Sequence, residues 1–304
     1  MNRRFVTAVW SSALESDENR DAAAAQVSAG AGSSVARVAV ADGASRTLFS
    51  GPWARTIAEA AVQGWPELGP RDLLGRTDAL RATFDPLAQY RVDDFAVRNK
   101  WMNDASQTTV VAATVTIAEA TLNISSMAVG DSVLMILDKE RGTVTFPPLA
   151  STDFGRSPDL ITSRPGQQIH ALRWQGQVAA SGLLLLATDG AARPLIAVVE
   201  NEGTEVAWHR VAQLAHAFQH HGAADADLAD ALLGDPARSF QDDATVLVCA
   251  AVPDVPGVAD IELLSAFLSD PVDSKPGETA CRSTRHRLPL SGRIFSDWRE
   301  RRTR

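Results

Sequence analysis

The sequence predicts one mixed α/β domain over residues 1–252, followed by a poorly structured extension over 253–304 with an Arg-rich end. Three observations lead there. Thr108–Ile117, Thr121–Val129 and Val133–Leu137 are β-branched, near-alternating runs split by short polar breaks, the pattern of an antiparallel meander. Gly182–Ala187 is short and wholly apolar, as a central buried strand is. Around these lie stretches whose apolar residues recur at helical spacing.

Taken in order, Phe5–Trp10 reads as a strand and Ser11–Arg20 as a polar turn. Val35–Val40 is a second strand, running into Asp42-Gly43. Ser50-Gly51-Pro52 signals a helix start, a capping hydroxyl with Pro in the first turn. Trp53, Ile57, Ala60 and Ala61 share its inner face, and Gly64 with Pro66 end it. Residues 72–105 read as helical, with Leu73, Leu74, Leu80, Phe84, Leu87, Phe95 and Trp101 facing inward. Residues 195–200, 206–220 and 225–233 also read as helical, and Thr245–Val252 as the last strand. Beyond it Pro253, Pro256, Pro271 and Pro276 punctuate the chain, with Asp260–Leu268 as the one short helix candidate.

Composition narrows the function. At 45% hydrophobic and 22% charged residues, the 304-residue chain is neither disordered nor fibrous. Its net charge of −8 excludes a protein coated in basic surface for nucleic acid. The charge is uneven: residues 281–304 hold eight Arg against Asp297 and Glu300, a balance of +6 that leaves −14 on residues 1–280. Nucleic acid, acidic lipid or an acidic protein face are candidate partners only for that tail, and a solvated tail accounts for it equally well. Cys249 and Cys281 make neither a disulfide framework nor a zinc pair. The longest uncharged windows, Ala22–Ala36 and Trp174–Thr188, fall short of the ~18 apolar residues that span a bilayer. The expectation is a cytoplasmic protein.

The chemistry is suggested by where aspartates fall. Asp42 ends a strand and precedes Gly43; Asp189 follows the run Leu183–Ala187 and precedes Gly190. Asp131 sits at a strand break, and Asp242-Asp243 immediately precede Thr245–Val252. A single Asp-Gly is ordinary turn chemistry. Several strands ending in carboxylates can bring them to one sheet edge, where they repel and require a counter-charge. Hard divalent cations suit an all-oxygen donor set, and Gly after Asp keeps a side chain out of the way of a carbonyl.

As an ordered set these residues resemble the metal-dependent protein phosphatases of type 2C. Asn19-Arg20-Asp21, Ala41-Asp42-Gly43, Gly130-Asp131-Ser132, Ala187-Thr188-Asp189-Gly190 and Asp242-Asp243-Ala244-Thr245 match that family's motifs in order and strand context over roughly residues 5–252. Asp42-Gly43-Ala44-Ser45 leading to Ser50-Gly51-Pro52-Trp53-Ala54-Arg55, and Phe146-Pro147-Pro148-Leu149, look like a divergent bacterial branch. The resemblance implies an α+β fold, a four-layer αββα sandwich of two antiparallel sheets flanked by helices. It also implies a site for two Mn²⁺ or Mg²⁺ ions, with a third bound more loosely. By motif match Asp42 would bridge the two ions and the Gly43 carbonyl would bind one. Asp189 and Asp242 would hold the other, Asp21 would lie in or just behind the first shell, and Asp131 with Asp189 would take the third. The implied reaction is hydrolysis of phosphoserine or phosphothreonine in proteins by a metal-bridging hydroxide. The implied partners are a phosphoprotein substrate and a cognate kinase.

The chain also departs from the family pattern. Asp-Gly-x-Gly-Gly is replaced by Asp42-Gly43-Ala44-Ser45-Arg46, the residue before the early Asp is Arg20, and Gly-Asp-Ser is followed by Val133. The usual phosphate-binding Arg position is Ser16. Arg46, Arg20 and Arg193 are candidate replacements, Arg46 first because it adjoins the metal motif. A phosphatase-like binding module without turnover is the alternative that this missing clamp raises. An unrelated all-oxygen metallohydrolase would leave the motif order unexplained. His216 and His220 lack the Glu of a zinc-protease helix and read as surface histidines. Ser45 and Ser132 have no triad partners, Gly30-Ala31-Gly32 lacks the third Gly of a dinucleotide loop, and the seven Trp read as packing residues.

Overall fold

A computed structural model of the chain describes residues 3–13, 19–30, 33–154, 158–221, 232 and 242–269. Its strands are β1 (Arg3–Ser12), β2 (Ala22–Gly30), β3 (Ser33–Ala41), β4 (Gln107–Thr108), β5 (Val110–Ala118), β6 (Thr121–Val129) and β7 (Val133–Asp138). They continue as β8 (Gly142–Phe146), β9 (Ile161–Thr162), β10 (Leu172–Ala179), β11 (Leu183–Ala187) and β12 (Ala244–Pro253). The described helices are α1 (Ser50–Ala61), α2 (Pro70–Thr83), α3 (Pro86–Gln89), α4 (Phe95–Asn103), α5 (Asp189–Glu202), α6 (Thr204–His221) and α7 (Asp260–Ser269).

Two five-stranded antiparallel sheets stack face to face, one ordered β1-β12-β11-β7-β8 and the other β10-β6-β5-β3-β2; β4 and β9 form a small separate pair. Strand alternation explains the layers. Leu184, Leu186, Leu247 and Cys249 from one sheet meet Val38, Val40, Val111 and Ile124 from the other in a shared core. The residues between them, Leu183, Leu185, Val246 and Val248, are equally buried on the opposite face, where α5 packs against β11 and β12 and α6 against β7. On the outer face of the second sheet, Ala39, Ala112 and Met127 pack against Trp53, Ile57 and Trp65 of α1 and the 3₁₀ turn Trp65–Glu67. The architecture is therefore the helix-sheet-sheet-helix sandwich, mixed α and β, that the motif order implied. Among the described residues no helix is long and apolar enough to cross a membrane.

Several local expectations change. The helix over 72–105 is three helices: Asp85 precedes Pro86, which disfavours helical backbone there, and Asp85 and Asp94 instead cap α3 and α4 by accepting from the Ala88 and Val97 amides. Phe95, expected inside, is 83% exposed. Ser50 does not cap α1 through its side chain; Phe49 holds the cap position with φ of 56°. Strands β2, β8, β9 and β10 were not anticipated. Asp260–Ser269 is a helix that buries Leu263, Leu264 and Leu268 and takes the Trp208 indole N–H at the Leu268 carbonyl, 3.0 Å away. It belongs to the compact unit Met1–Asp270, so packed structure continues past residue 252. The helix expected over 225–233 and the Arg-rich tail lie outside the described residues.

Candidate active site

Strand register alone gathers the aspartates. Ala22 of β2 pairs with Ala41 of β3, which sets Asp21 and Asp42 side by side at one end of their sheet. In the other sheet Ala187 pairs with both Val246 and Val133. Asp189 after β11 and Asp242 before β12 are thereby neighbours. Asp131, in the turn that carries the chain from β6 in one sheet to β7 in the other, adjoins them.

Two glycines make the approach possible. A Cβ on Gly190 would lie 2.2 Å from the Asp243 carbonyl oxygen, and one on Gly43 would lie 2.7 Å from the Arg20 carbonyl oxygen and from the Ser50 carbonyl carbon. Each Asp-Gly therefore serves a second purpose beyond the one read from sequence. It lets the backbone of the next acidic segment press directly against it. The Asp42 carbonyl is held from the other side by the Thr109 amide at 2.9 Å and the Thr108 hydroxyl at 2.7 Å.

The electrostatics follow from this crowding. Asp21, Asp42 and Asp189 keep some solvent access as residues. Even so, burial of the carboxyl is the largest cause raising each pKa. Asp21 rises from 3.8 to about 7, with Asp243 and Asp189 adding to the effect and hydrogen bonds from Thr188 and Thr245 opposing it. Asp189 also rises to about 7, through burial and then Asp131 and Asp242, against the Gly190 amide and the charge of Arg193. Asp42 is raised well above its ordinary value by burial and then by Asp21, Asp189, Asp131 and Asp242, so it lies within electrostatic reach of all four.

Among the described residues no group of three Asp, Glu, His or Cys side chains forms a ligand set by itself. The aspartates converge without closing. Their chemistry nonetheless fits a hard divalent cation: every donor is oxygen, and Asp21 Oδ1 and Asp189 Oδ1 are buried with no hydrogen-bond partner.

The candidate arginines are placed differently. The Arg20 backbone amide donates to Asp243 Oδ2 at 2.8 Å, so this residue is fixed to the acidic cluster through its main chain. Arg193 is exposed on the second turn of α5, and its charge reaches Asp189. Arg46 is exposed in the loop after Gly43. Ser45 is exposed, while the buried Ser132 hydroxyl pairs with that of Thr109 at 2.7 Å. Motif positions given no role in the sequence also take part. Asn19 Oδ1 accepts from the Asp21 amide at 2.8 Å, Asp243 accepts from Arg20, and Thr188 donates to Asp21. The only signal for them was their membership in the matching motifs.

No protein-family model matches the sequence, and no curated protein does. Solved structures do. A phosphatase from Toxoplasma gondii superposes with a TM-score of 0.51 at 13% identity, over 83% of this chain and 95% of that one. The chain has a type 2C phosphatase fold. The serine/threonine phosphatase PstP/Ppp of Mycobacterium tuberculosis matches at 17% identity over 81% and 98% of the two chains, with a TM-score of 0.45. The PstP catalytic domain in complex with two manganese ions matches at 17% over 83% and 100%, with a TM-score of 0.43. At these identities the likeness is one of fold. In that phosphatase fold the five aspartates stand together at one end of the sandwich.

Proposed function

We propose that this chain is a Mn²⁺- or Mg²⁺-dependent phosphatase that hydrolyses phosphoserine or phosphothreonine in a cytoplasmic phosphoprotein, opposing a cognate kinase. One observation carries the reading. Five aspartates from five separate segments, Asp21, Asp42, Asp131, Asp189 and Asp242, meet at one end of a phosphatase fold, and burial together with the neighbouring carboxylates raises the pKa of Asp21, Asp42 and Asp189. A cluster so acidic and so buried is costly unless cations neutralise it.

Asp42, with the Gly43 carbonyl, and Asp189 with Asp242 would hold two ions, with Asp21 and Asp131 at the margins. When bound, such ions acidify water and neutralise phosphoryl oxygens. The chain's own contribution is orientation. Thr108 and Thr109 fix the Asp42 backbone from one side, and the Gly190 contact fixes Asp242 and Asp243 against the start of α5. A phosphate seated over the cluster needs a cationic partner, and Arg193 is best supported because its charge already reaches Asp189.

The test is release of phosphate from p-nitrophenyl phosphate and from a phosphothreonine peptide, with and without Mn²⁺, for the wild type and Asp42→Asn. Mn²⁺-dependent turnover that falls at least about 1,000-fold in Asp42→Asn is expected. Ser16 in place of the usual Arg favours the second reading, a binding module, and Mn²⁺ binding without turnover in the wild type would select it.

A further inference from the structure

We infer that Thr188 and Thr245 are positioning residues that aim Asp21 at the cation site, tying down one carboxylate oxygen and leaving the other open. The inference rests on the metal-site reading above and assigns a task to two residues that otherwise only end β11 and begin β12.

The direction of each hydrogen bond follows from counting protons. The Thr245 backbone N–H can only donate, and it donates to Thr188 Oγ1 at 2.9 Å. Thr188 Oγ1 therefore accepts there, and its single proton goes to Asp21 Oδ2, 2.7 Å away. Thr188 also donates its own amide to the Thr245 carbonyl at 3.1 Å, so the two threonines lock β11 to β12 where α5 begins. On the other side, the Thr245 hydroxyl lies 2.7 Å from that of Ser11, its cross-strand partner on β1. Asn19 Nδ2 donates to Ser11 Oγ, while Asn19 Oδ1 accepts from the Asp21 amide at 2.8 Å.

Asp21 thus hangs from three strand ends: β1 through Ser11 and Asn19, β12 through Thr245, and β11 through Thr188. Thr188 is 0% and Thr245 1% exposed, so both threonines are shielded from water, whereas the Asn19 links lie at the surface. Asp21 Oδ2 is used and Asp21 Oδ1 is buried without a partner. A carboxylate held by one oxygen cannot rotate its free oxygen away, which is how an outer hydrogen bond orients a ligand group. Neither threonine would touch the cation or the substrate.

The experiment is calorimetric titration with Mn²⁺ alone on the full chain, for wild type, Thr188→Val, Thr188→Ser, Asp21→Asn and the double variant Thr188→Val/Asp21→Asn. Valine keeps the volume and removes the donor; serine restores it. Thr188→Val should weaken Mn²⁺ binding by about 10- to 100-fold, the usual cost of losing such a partner, and Thr188→Ser should recover to within about threefold of wild type. In the double variant the Thr188 change should cost less than about twofold beyond Asp21→Asn, because its effect passes through Asp21. Should Thr188→Val fail to fold, Thr188→Ala, which places no methyl against the Thr245 amide, takes its place in the cycle. A folded Thr188→Val or Thr188→Ala that binds Mn²⁺ like wild type overturns the inference, as does a loss that adds in full to that of Asp21→Asn. A wild type that binds no Mn²⁺ overturns the metal-site reading beneath it, so the two failures are distinguishable.

Discussion

Asp21, Asp42, Asp189 and Asp242 sit where strand register leaves no choice of place, whereas Arg46 and Arg193 reach out from exposed positions on a loop and a helix turn. The acidic half of the site is written into the backbone, and its geometry persists whatever the side chains of the rim do. The proposed basic rim rests on exposed side chains, on a loop and on a helix. Cation binding should therefore be sensitive to small backbone disturbances, and phosphate binding tolerant of single arginine losses.

The largest effect expected on this contrast comes from Gly190→Ala. The added Cβ would sit 2.2 Å from the Asp243 carbonyl oxygen, so the Asp242–Asp243 segment must move. A displacement near 1 Å at that segment should lower kcat/KM by about 100-fold. The strain should cost about 1–3 kcal/mol of stability, read as a thermal midpoint roughly 3–10 °C lower. Wild-type kinetics in Gly190→Ala would show that the acidic half is not fixed by its backbone.

Next in size is the effect of pH on the metal-free protein. Asp21 and Asp189 have folded pKa values of about 7 against an ordinary 3.8, so the folded state binds their protons more tightly than the unfolded chain does. Their contribution is full below about pH 4 and is lost as pH rises through about 7. Metal-free Tm should therefore fall by several degrees between about pH 5 and pH 8, and saturating Mn²⁺ should raise Tm more at pH 8 than at pH 5. Scanning calorimetry at the two pH values, with and without Mn²⁺, checks both signs.

The smallest effects belong to the rim. Arg193→Ala should raise KM for p-nitrophenyl phosphate about 3- to 10-fold with kcat within about twofold, and Arg46→Ala should change KM less than that. Steady-state kinetics in which Arg46→Ala costs more than Arg193→Ala would reverse their order.

Legibility in the sequence divides along a related line. Central strands β3, β5, β6, β7, β11 and β12 were read from their β-branched or apolar runs because burial on both faces demands such residues. Of the unanticipated strands, β2, β8 and β10 are edges of the two large sheets and β9 belongs to a two-residue pair, while β1, also an edge, is legible in Phe5–Trp10. The Ala-Ala-Ala-Ala-Gln start of β2 and the Gln-Gly-Gln of β10 carry no strand propensity, as suits an edge that must not recruit another chain. At the site, Asp42, Asp131, Asp189 and Asp242 are visible because each adjoins a legible strand, whereas Asp21, which precedes the illegible β2, is visible only through the Asn19-Arg20-Asp21 motif. The tasks of Thr188, Thr245, Asn19 and Ser11 are not, because a hydroxyl's task depends on what another strand brings opposite it. The helical reading of 72–105 holds in part: Asp85-Pro86 breaks the stretch and Phe95 is exposed, while Phe84 and Trp101, expected inward, do pack edge to face at 5.8 Å.

The proposal that these aspartates hold divalent cations is most directly tested by calorimetric titration of the full chain with Mn²⁺ at neutral pH, wild type beside Asp42→Asn. Two bound Mn²⁺ in the wild type, with at least one lost or weakened more than about 100-fold in a folded Asp42→Asn, is the predicted result. No Mn²⁺ binding in the wild type, or equal binding in both proteins, would contradict it.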